Sequence, residues 1–283
     1  MEFQRKTLVD GIVFGECPRW HGGRLWFSDM HADCVMVAGL DGTCEKVVDV
    51  PGRPSGLGWL PDGRMLVVSM VDRRVLRLEG GRLVEHSDLR NIATWHCNDM
   101  VVDGKGNAYV GNFGYDLETE APVQAEATMA LVAMDGTAKP VADGLMFPNG
   151  TVITPDGKTL IVAETFAQKL TAFDIQSDGS LSNRRLFADL SPNIPDGICL
   201  DAQGAIWVAD PLTDECCFRV LEGGQVTHKI QTGRGCFACM LGGPDRKTLF
   251  LMTADDFHRE KVLEARNGKI EIVEVEVPGV GLP

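Results

Sequence analysis

The chain has no stretch approaching the roughly 18 consecutive apolar residues of a membrane-spanning helix, and its charged start (Arg5, Lys6) leads into no secretory apolar segment. No membrane partner is expected, and the expected compartment is the cytoplasm. Positive charge is scarce: 27 Lys and Arg against 40 Asp and Glu leave a net charge of -13. Without a basic stripe to release counterions from a phosphate backbone, nucleic acid is not an expected partner either. Amphipathic helical patterns of ten or more residues are missing, which argues against α/β folds and excludes a helical solenoid. Catalytic and nucleotide signatures are also missing. Gly52-Arg53-Pro54-Ser55-Gly56 has its serine one place too late for a nucleophile elbow, and Gly104-Lys105-Gly106 lacks the third glycine of a dinucleotide fingerprint. The nine cysteines, odd in number and scattered from Cys17 to Cys239, fit no disulfide framework, and Cys236-x-x-Cys239 has no second pair to complete a zinc site.

What the chain does contain is a phrase repeated six times: a polar residue beside a small one, about ten residues, a glycine-containing turn, then an apolar run. The copies begin GECPRW at Gly15, PSGLGW at Pro54, CNDMVV at Cys97, PNGTVI at Pro148, PDGICL at Pro195 and CFACML at Cys236. Equivalent positions Trp26, Leu66, Tyr109, Ile161, Trp207 and Phe250 lie 40 to 52 residues apart, the length of a propeller blade. Turns such as Pro61-Asp62-Gly63 and Pro155-Asp156-Gly157 between apolar runs read as hairpins, and further alternating runs such as Arg74–Leu78 supply outer strands. The expectation is an all-β, six-bladed β-propeller, with residues 1–283 as one domain and a metal site at its central channel. The run Ile270–Val275 is expected to help complete the last blade, beside a strand from the N-terminus. The widest spacing holds an insertion from Gly114 to Thr128, containing Tyr115, Asp116, Glu118, Glu120 and Pro122, which reads equally as a substrate lid or a surface loop.

Repeats place equivalent residues at equivalent heights around the axis. The residues opening each unit are Glu16, Ser55, Asn98, Asn149, Asp196 and, in the sixth, Phe237. Two carboxylates and two amides aimed at one spot call for a cation. The oxygen-rich, thiolate-free set suits Ca²⁺, Mg²⁺ or Mn²⁺, with Zn²⁺ or Fe²⁺ also open. Asn-Asp, Asn-Gly and Asp-Gly are also ordinary turn formers, and each pair taken singly reads that way. Asp29, Glu164 and Asp210 close the following strands and are expected to line the channel or support the ligands.

These residues resemble the SMP-30/gluconolactonase/luciferin-regenerating family of six-bladed propellers, over essentially the whole chain. The resemblance is carried by Gly15-Glu16-Cys17-Pro18-x-Trp20, Asn98-Asp99, Pro148-Asn149-Gly150, Leu181-Ser182-Asn183-Arg184-Arg185 and Ile194-Pro195-Asp196-Gly197 running on to Asp201. It implies one divalent ion held by Glu16, Asn149 and Asp196, with Asn98 nearby on water or substrate. It further implies hydrolysis of a small lactone, with Asp196 as general base and the ion polarising the carbonyl. Where sugar-lactonases of the family often place an arginine, this chain has His96, preceded by Trp95. With Phe113 and Tyr115 these form the expected substrate-binding set, and Asn112, Met146 and Phe147 give the pocket an apolar, aromatic character. Two alternatives stay open on the same residues: phosphotriester or fluorophosphate hydrolysis, and a non-catalytic calcium-binding propeller.

Overall fold

The computed structural model describes residues 3–117, 119 and 121–283, and arranges them as six four-stranded antiparallel sheets. The innermost strands are Gly15–His21, Pro54–Trp59, Cys97–Val102, Pro148–Ile153, Ile198–Leu200 and Gly235–Gly242. Each contacts the innermost strand of the next blade, the sixth touching the first, so they ring one channel. The protein is a six-bladed β-propeller, as the repeat predicts.

Local chemistry sets the hairpins. Thr154 accepts from the Gly157 amide at 2.8 Å, and Gly157 adopts a φ of 68° that a side chain would strain. Alternation along each strand then buries one face per neighbouring blade. Of the repeat-equivalent residues, Leu66, Tyr109, Ile161, Trp207 and Phe250 are buried, while Trp26 is half-buried with its ring against Trp59 at 5.5 Å. Burying side chains of this size contributes about 1.5–3 kcal/mol apiece. Helix is confined to short pieces, the longest being Arg259–Ala265.

The sixth blade is assembled from both ends of the sequence. Gly235–Gly242 pairs with Thr248–Ala254, which pairs with Gly268–Glu274, whose other edge takes Lys6–Ile12. The N-terminal strand is therefore the outer one, a division of labour that alternation alone leaves open. Beyond this blade the C-terminal segment crosses the channel end remote from Glu16. Its backbone bonds to Arg246, Leu200 and Ile153 in turn, at 2.8, 3.0 and 3.0 Å.

Candidate metal centre

The polar-then-small phrase has a mechanical origin. In five blades the pairing of the innermost with the second strand slips at or beside the opening residue, between Glu16 and Arg19, Pro54 and Leu57, Cys97 and Met100, Pro148 and Thr151, and, around Phe237, Cys236 and Ala238. Such bulges re-aim a side chain out of the regular alternation. The small residue next to it is needed because neighbouring blades touch there. A Cβ on Gly150 would lie 2.5 Å from the Ile198 nitrogen, and one on Gly197 would lie 2.7 Å from Ala238. The closeness lets backbone cross between blades: Gly150 N–H donates to Asp196 O at 3.2 Å and Gly197 N–H to Phe237 O at 2.9 Å.

These constraints bring Ser55, Asn98 and Asn149 into one hydrogen-bonded arc. Ser55 Oγ donates to Asn98 Oδ1 at 3.3 Å, Asn98 Nδ2 donates to Asn149 Oδ1 at 3.1 Å, and Asn149 Nδ2 donates to Thr165 Oγ1 at 3.2 Å. The Thr165 hydroxyl in turn donates to Pro195 O at 2.9 Å. Because that hydrogen is committed to Pro195, Thr165 can only accept from Asn149, which fixes the amide with Oδ1 turned away from Thr165. Cys17 Sγ, 3.4 Å from Ser55 Oγ, completes the series as its first donor, since the serine hydrogen is already given to Asn98. Every link runs in the same sense. Each amide oxygen thus accepts one bond, Asn98 Oδ1 from Ser55 and Asn149 Oδ1 from Asn98, and each keeps a second lone pair for a further partner.

The two carboxylates bracket this arc. Glu16 is buried and Asp196 half-buried, and neither makes an ion pair among the described residues. Burial pushes the Glu16 carboxyl well above its ordinary range, and the charges of Asp196 and Asp99 push it further. Asp196 is likewise raised by burial and by Asp99 and Asp210, against a lowering hydrogen bond from Asn149. The nearby cation, Arg19, is directed elsewhere: its guanidinium pairs with Asp99 and donates to Leu57 O, Pro18 O and Met100 O. Two buried like charges left without a counterion, together with the Asn149 oxygen, fit an oxygen-ligated divalent cation. Among the described residues, one group of three acidic or thiol side chains has its ligand atoms close together, namely Asp210, Asp214 and Cys216. That group contains none of Glu16, Asn149 and Asp196, and Lys229 and Asn193 already bond its carboxylates.

The expected substrate residues form a wall beside the arc. Trp95 stacks on His96 at 4.9 Å, His96 faces Phe113 at 6.1 Å, and Phe113 meets Phe147 edge-on at 4.5 Å. Phe166, which the repeat phrase did not single out, joins Phe147 at 5.1 Å and Tyr115 at 6.1 Å. Within the insertion, Glu118 and Glu120 lie outside the described residues. Asp29 and Glu164 do not line the channel: Asp29 accepts the Val13 and Phe14 amides, and Glu164 accepts the Met146 amide and the Thr171 hydroxyl. Asp210 accepts the Leu212 and Thr213 amides, and its charge reaches Asp196. A carboxylate ending a strand serves the adjoining backbone first, because loop amides there have no ladder partner. All nine cysteines are free thiols, with Cys199 and Cys239 packed 3.8 Å apart between blades five and six.

Comparison with known proteins places this geometry. A family profile described as the SMP-30/Gluconolactonase/LRE-like region matches residues 14–255. A regucalcin of Xenopus laevis is 29% identical over 170 residues, 56% of this chain and 54% of the relative, so the match spans about half the length of that protein. A pentonolactonase of Haloferax volcanii is 28% identical over 256 residues, 85% of this chain and 81% of the relative. The crystal structure of a calcium-binding regucalcin from Agrobacterium tumefaciens superposes with a TM-score of 0.81 at 21% identity, covering 100% of this chain and 97% of that one, a likeness of fold.

Proposed function

The chain belongs to the SMP-30/gluconolactonase/LRE-like family, and on that premise we propose that it is a metal-dependent hydrolase opening a small lactone, with residues 1–283 working as one domain. The observation that carries the proposal is the closeness of Glu16, Asp196 and the Asn149 amide: Asp196 and Asp99 raise the Glu16 carboxyl, Asn149 hydrogen-bonds Asp196, and neither Glu16 nor Asp196 makes an ion pair among the described residues. Glu16, Asn149 and Asp196 would hold the ion, which is Ca²⁺, Mg²⁺, Mn²⁺, Zn²⁺ or Fe²⁺. When bound, a divalent ion there supplies Lewis acidity, drawing electron density from a carbonyl oxygen and countering the charge that develops during attack.

The chain's own residues divide the remaining work. Asp196, half-buried and facing the mouth, accepts a proton from the attacking water and returns it to the departing ring oxygen. Glu16 contributes charge and ligation. Asn98, which gives one Nδ2 hydrogen to Asn149, would direct the other toward water or the lactone oxygens. His96, Trp95, Phe113 and Tyr115 bound the space into which ring substituents extend.

The test is to strip the protein with chelator and assay a lactone panel after adding back each of the five ions. Hydrolysis should vanish on chelation and return with at least one ion. The absence of turnover on every lactone with every ion would overturn the reading. A second reading, a calcium-binding propeller without turnover, draws on the oxygen-only donor set and the similarity to regucalcins. Calorimetric Ca²⁺ binding without hydrolysis of any lactone or organophosphate would select it.

A further inference from the structure

Every second strand ends at the mouth that holds Glu16 and Asp196. Asp29 pairs with Gly15, Ser69 with Pro54, Asn112 with Cys97, Glu164 with Pro148 and Ala254 with Gly235, while Asp196 N–H reaches Ala209 O at 2.9 Å. The loops leaving these strands thus form a collar around the mouth. Within three residues of the strand end each loop carries an apolar side chain: Met30, Val71, Phe113, Phe166, Leu212 and Phe257 in blade order. Val71, Leu212 and Phe257 are 43%, 53% and 44% exposed. Single exposed apolar residues are commonplace, but an apolar side chain in the same loop of every blade, one to three residues past the strand end, sets hydrocarbon around a polar floor.

The collar has two walls on opposite sides of the ring. On blades three and four, Phe113, Phe147 and Phe166 are in successive ring contact. On blades six and one, Phe237 packs on Phe14 at 4.7 Å and faces Phe257 at 6.5 Å, and Leu212, Phe237 and Phe257 line a cleft of about 160 Å³. Phe237 holds the inner-strand position that is polar in the other five blades. Beside the wall of blades three and four the polar side chains are committed to the scaffold, whereas Glu215, Asp255, Asp256 and His258 share the cleft with Leu212 and Phe257. Asn112 Oδ1 accepts Gly114 N–H, Asn112 Nδ2 donates to Thr128 O, and Thr94 Oγ1 donates to Gly114 O. A ring bearing many hydroxyls would exchange water for hydrocarbon here, at a cost for each unpaired group.

We propose that this collar selects lactones carrying an alkyl or aryl substituent, the carbonyl seated on the polar floor and the hydrocarbon gripped between the two aromatic walls. The proposal rests on the lactone-opening reading for its chemistry but on the collar for its specificity, so two measurements separate them. The first is calorimetric binding of non-hydrolysable lactams of one ring size and increasing alkyl chain to the metal-loaded protein. Affinity should rise by up to about fourfold per methylene until the collar is filled. In Leu212→Ser and Phe257→Ser, both exposed positions whose substitution leaves the core intact, that slope should fall. Val226→Ser, an equally exposed residue on the outer strand Val226–Gln231, should leave it unchanged.

The second measurement is turnover of the matching lactones beside polyhydroxylated ones, with kcat/KM following the same chain-length slope. A flat lactam series overturns the collar proposal whatever the turnover. If sedimentation then shows an oligomer that Leu212→Ser dissociates, the collar is a contact between two copies. A rising lactam series without any lactone turnover upholds the collar and overturns the hydrolase reading.

Discussion

Replacing Thr165 by valine removes one hydroxyl and leaves its shape. That hydroxyl accepts from Asn149 Nδ2 at 3.2 Å and donates to Pro195 O at 2.9 Å, in a position 6% exposed. Valine leaves a buried donor and a buried acceptor unpaired, each costing about 1–2 kcal/mol, or about 2–4 kcal/mol together. For a domain of this size such a loss lowers Tm by about 4–8 °C or somewhat more. The second effect is on the ion. Without Thr165 the Asn149 amide loses one of the bonds that orient it and is held less firmly by Asn98 and Asp196. Loss of a group that orients a ligand weakens metal affinity by about 10–100-fold. Calorimetric titration of Ca²⁺ and Mn²⁺ into the folded variant, well below its Tm, reads that number directly. Thr165→Ser keeps the hydroxyl and should restore most of the affinity. A valine variant that is less stable yet binds both ions as tightly as the parent would refute the reasoning, leaving Thr165 a brace for Pro195 alone.

Asp196→Asn keeps an oxygen and loses basicity, so turnover at measured full metal occupancy should fall by about 100-fold or more, whereas Glu16→Gln should weaken metal binding and recover activity at high metal. Near-parental kcat in metal-saturated Asp196→Asn would remove it as the base. Because burial and neighbouring acidic groups raise both carboxyls above their unfolded values, their contribution to metal-free stability is fully present below about pH 4 and is lost as pH rises through the raised folded values. Thermal melts in chelator should therefore show this contribution declining with pH, and saturating metal should reverse the trend. Equal pH dependence with and without metal would contradict the pairing. His96→Arg supplies fixed donors beside Phe113 and should shift kcat/KM toward hydroxyl-rich lactones; unchanged selectivity would take His96 out of the substrate wall.

The blade count, the hairpins and the ring of Glu16, Ser55, Asn98, Asn149 and Asp196 were legible because each is a local pattern repeated at a fixed interval. The small neighbours Gly150 and Gly197 carried the same information twice, once as turn formers and once as points of contact between blades. Thr165 and Phe166 were not legible, since they follow a second strand while the repeat phrase is anchored on the first. Comparing the residues after Asp29, Ser69, Asn112, Glu164, Asp210 and Ala254 would have disclosed the collar, but only once the strand ends were known. Arg19 illustrates a different limit. Its pairing with Asp99 spans 80 positions and depends on how blades one to three close on one another. Asp99 itself reads as half of an ordinary Asn-Asp turn.

The pairing of Lys6–Ile12 with Gly268–Glu274 has a kinetic consequence. Arg5 bonds Glu271 across 266 positions, so the ring can lock only after the Gly268–Glu274 strand has been synthesised. Contacts of such separation form slowly, because the loop entropy is lost before the contact rewards it. Until then Lys6–Ile12, with Leu8, Val9 and Ile12, waits without its ladder partner and is open to any strand nearby, including that of another nascent chain. A circular permutant joining residue 283 to residue 1 and opened at the Gly80-Gly81 turn would bring the two strands within one short stretch of sequence. It should refold faster and aggregate less during expression, while the second blade would inherit the late closure.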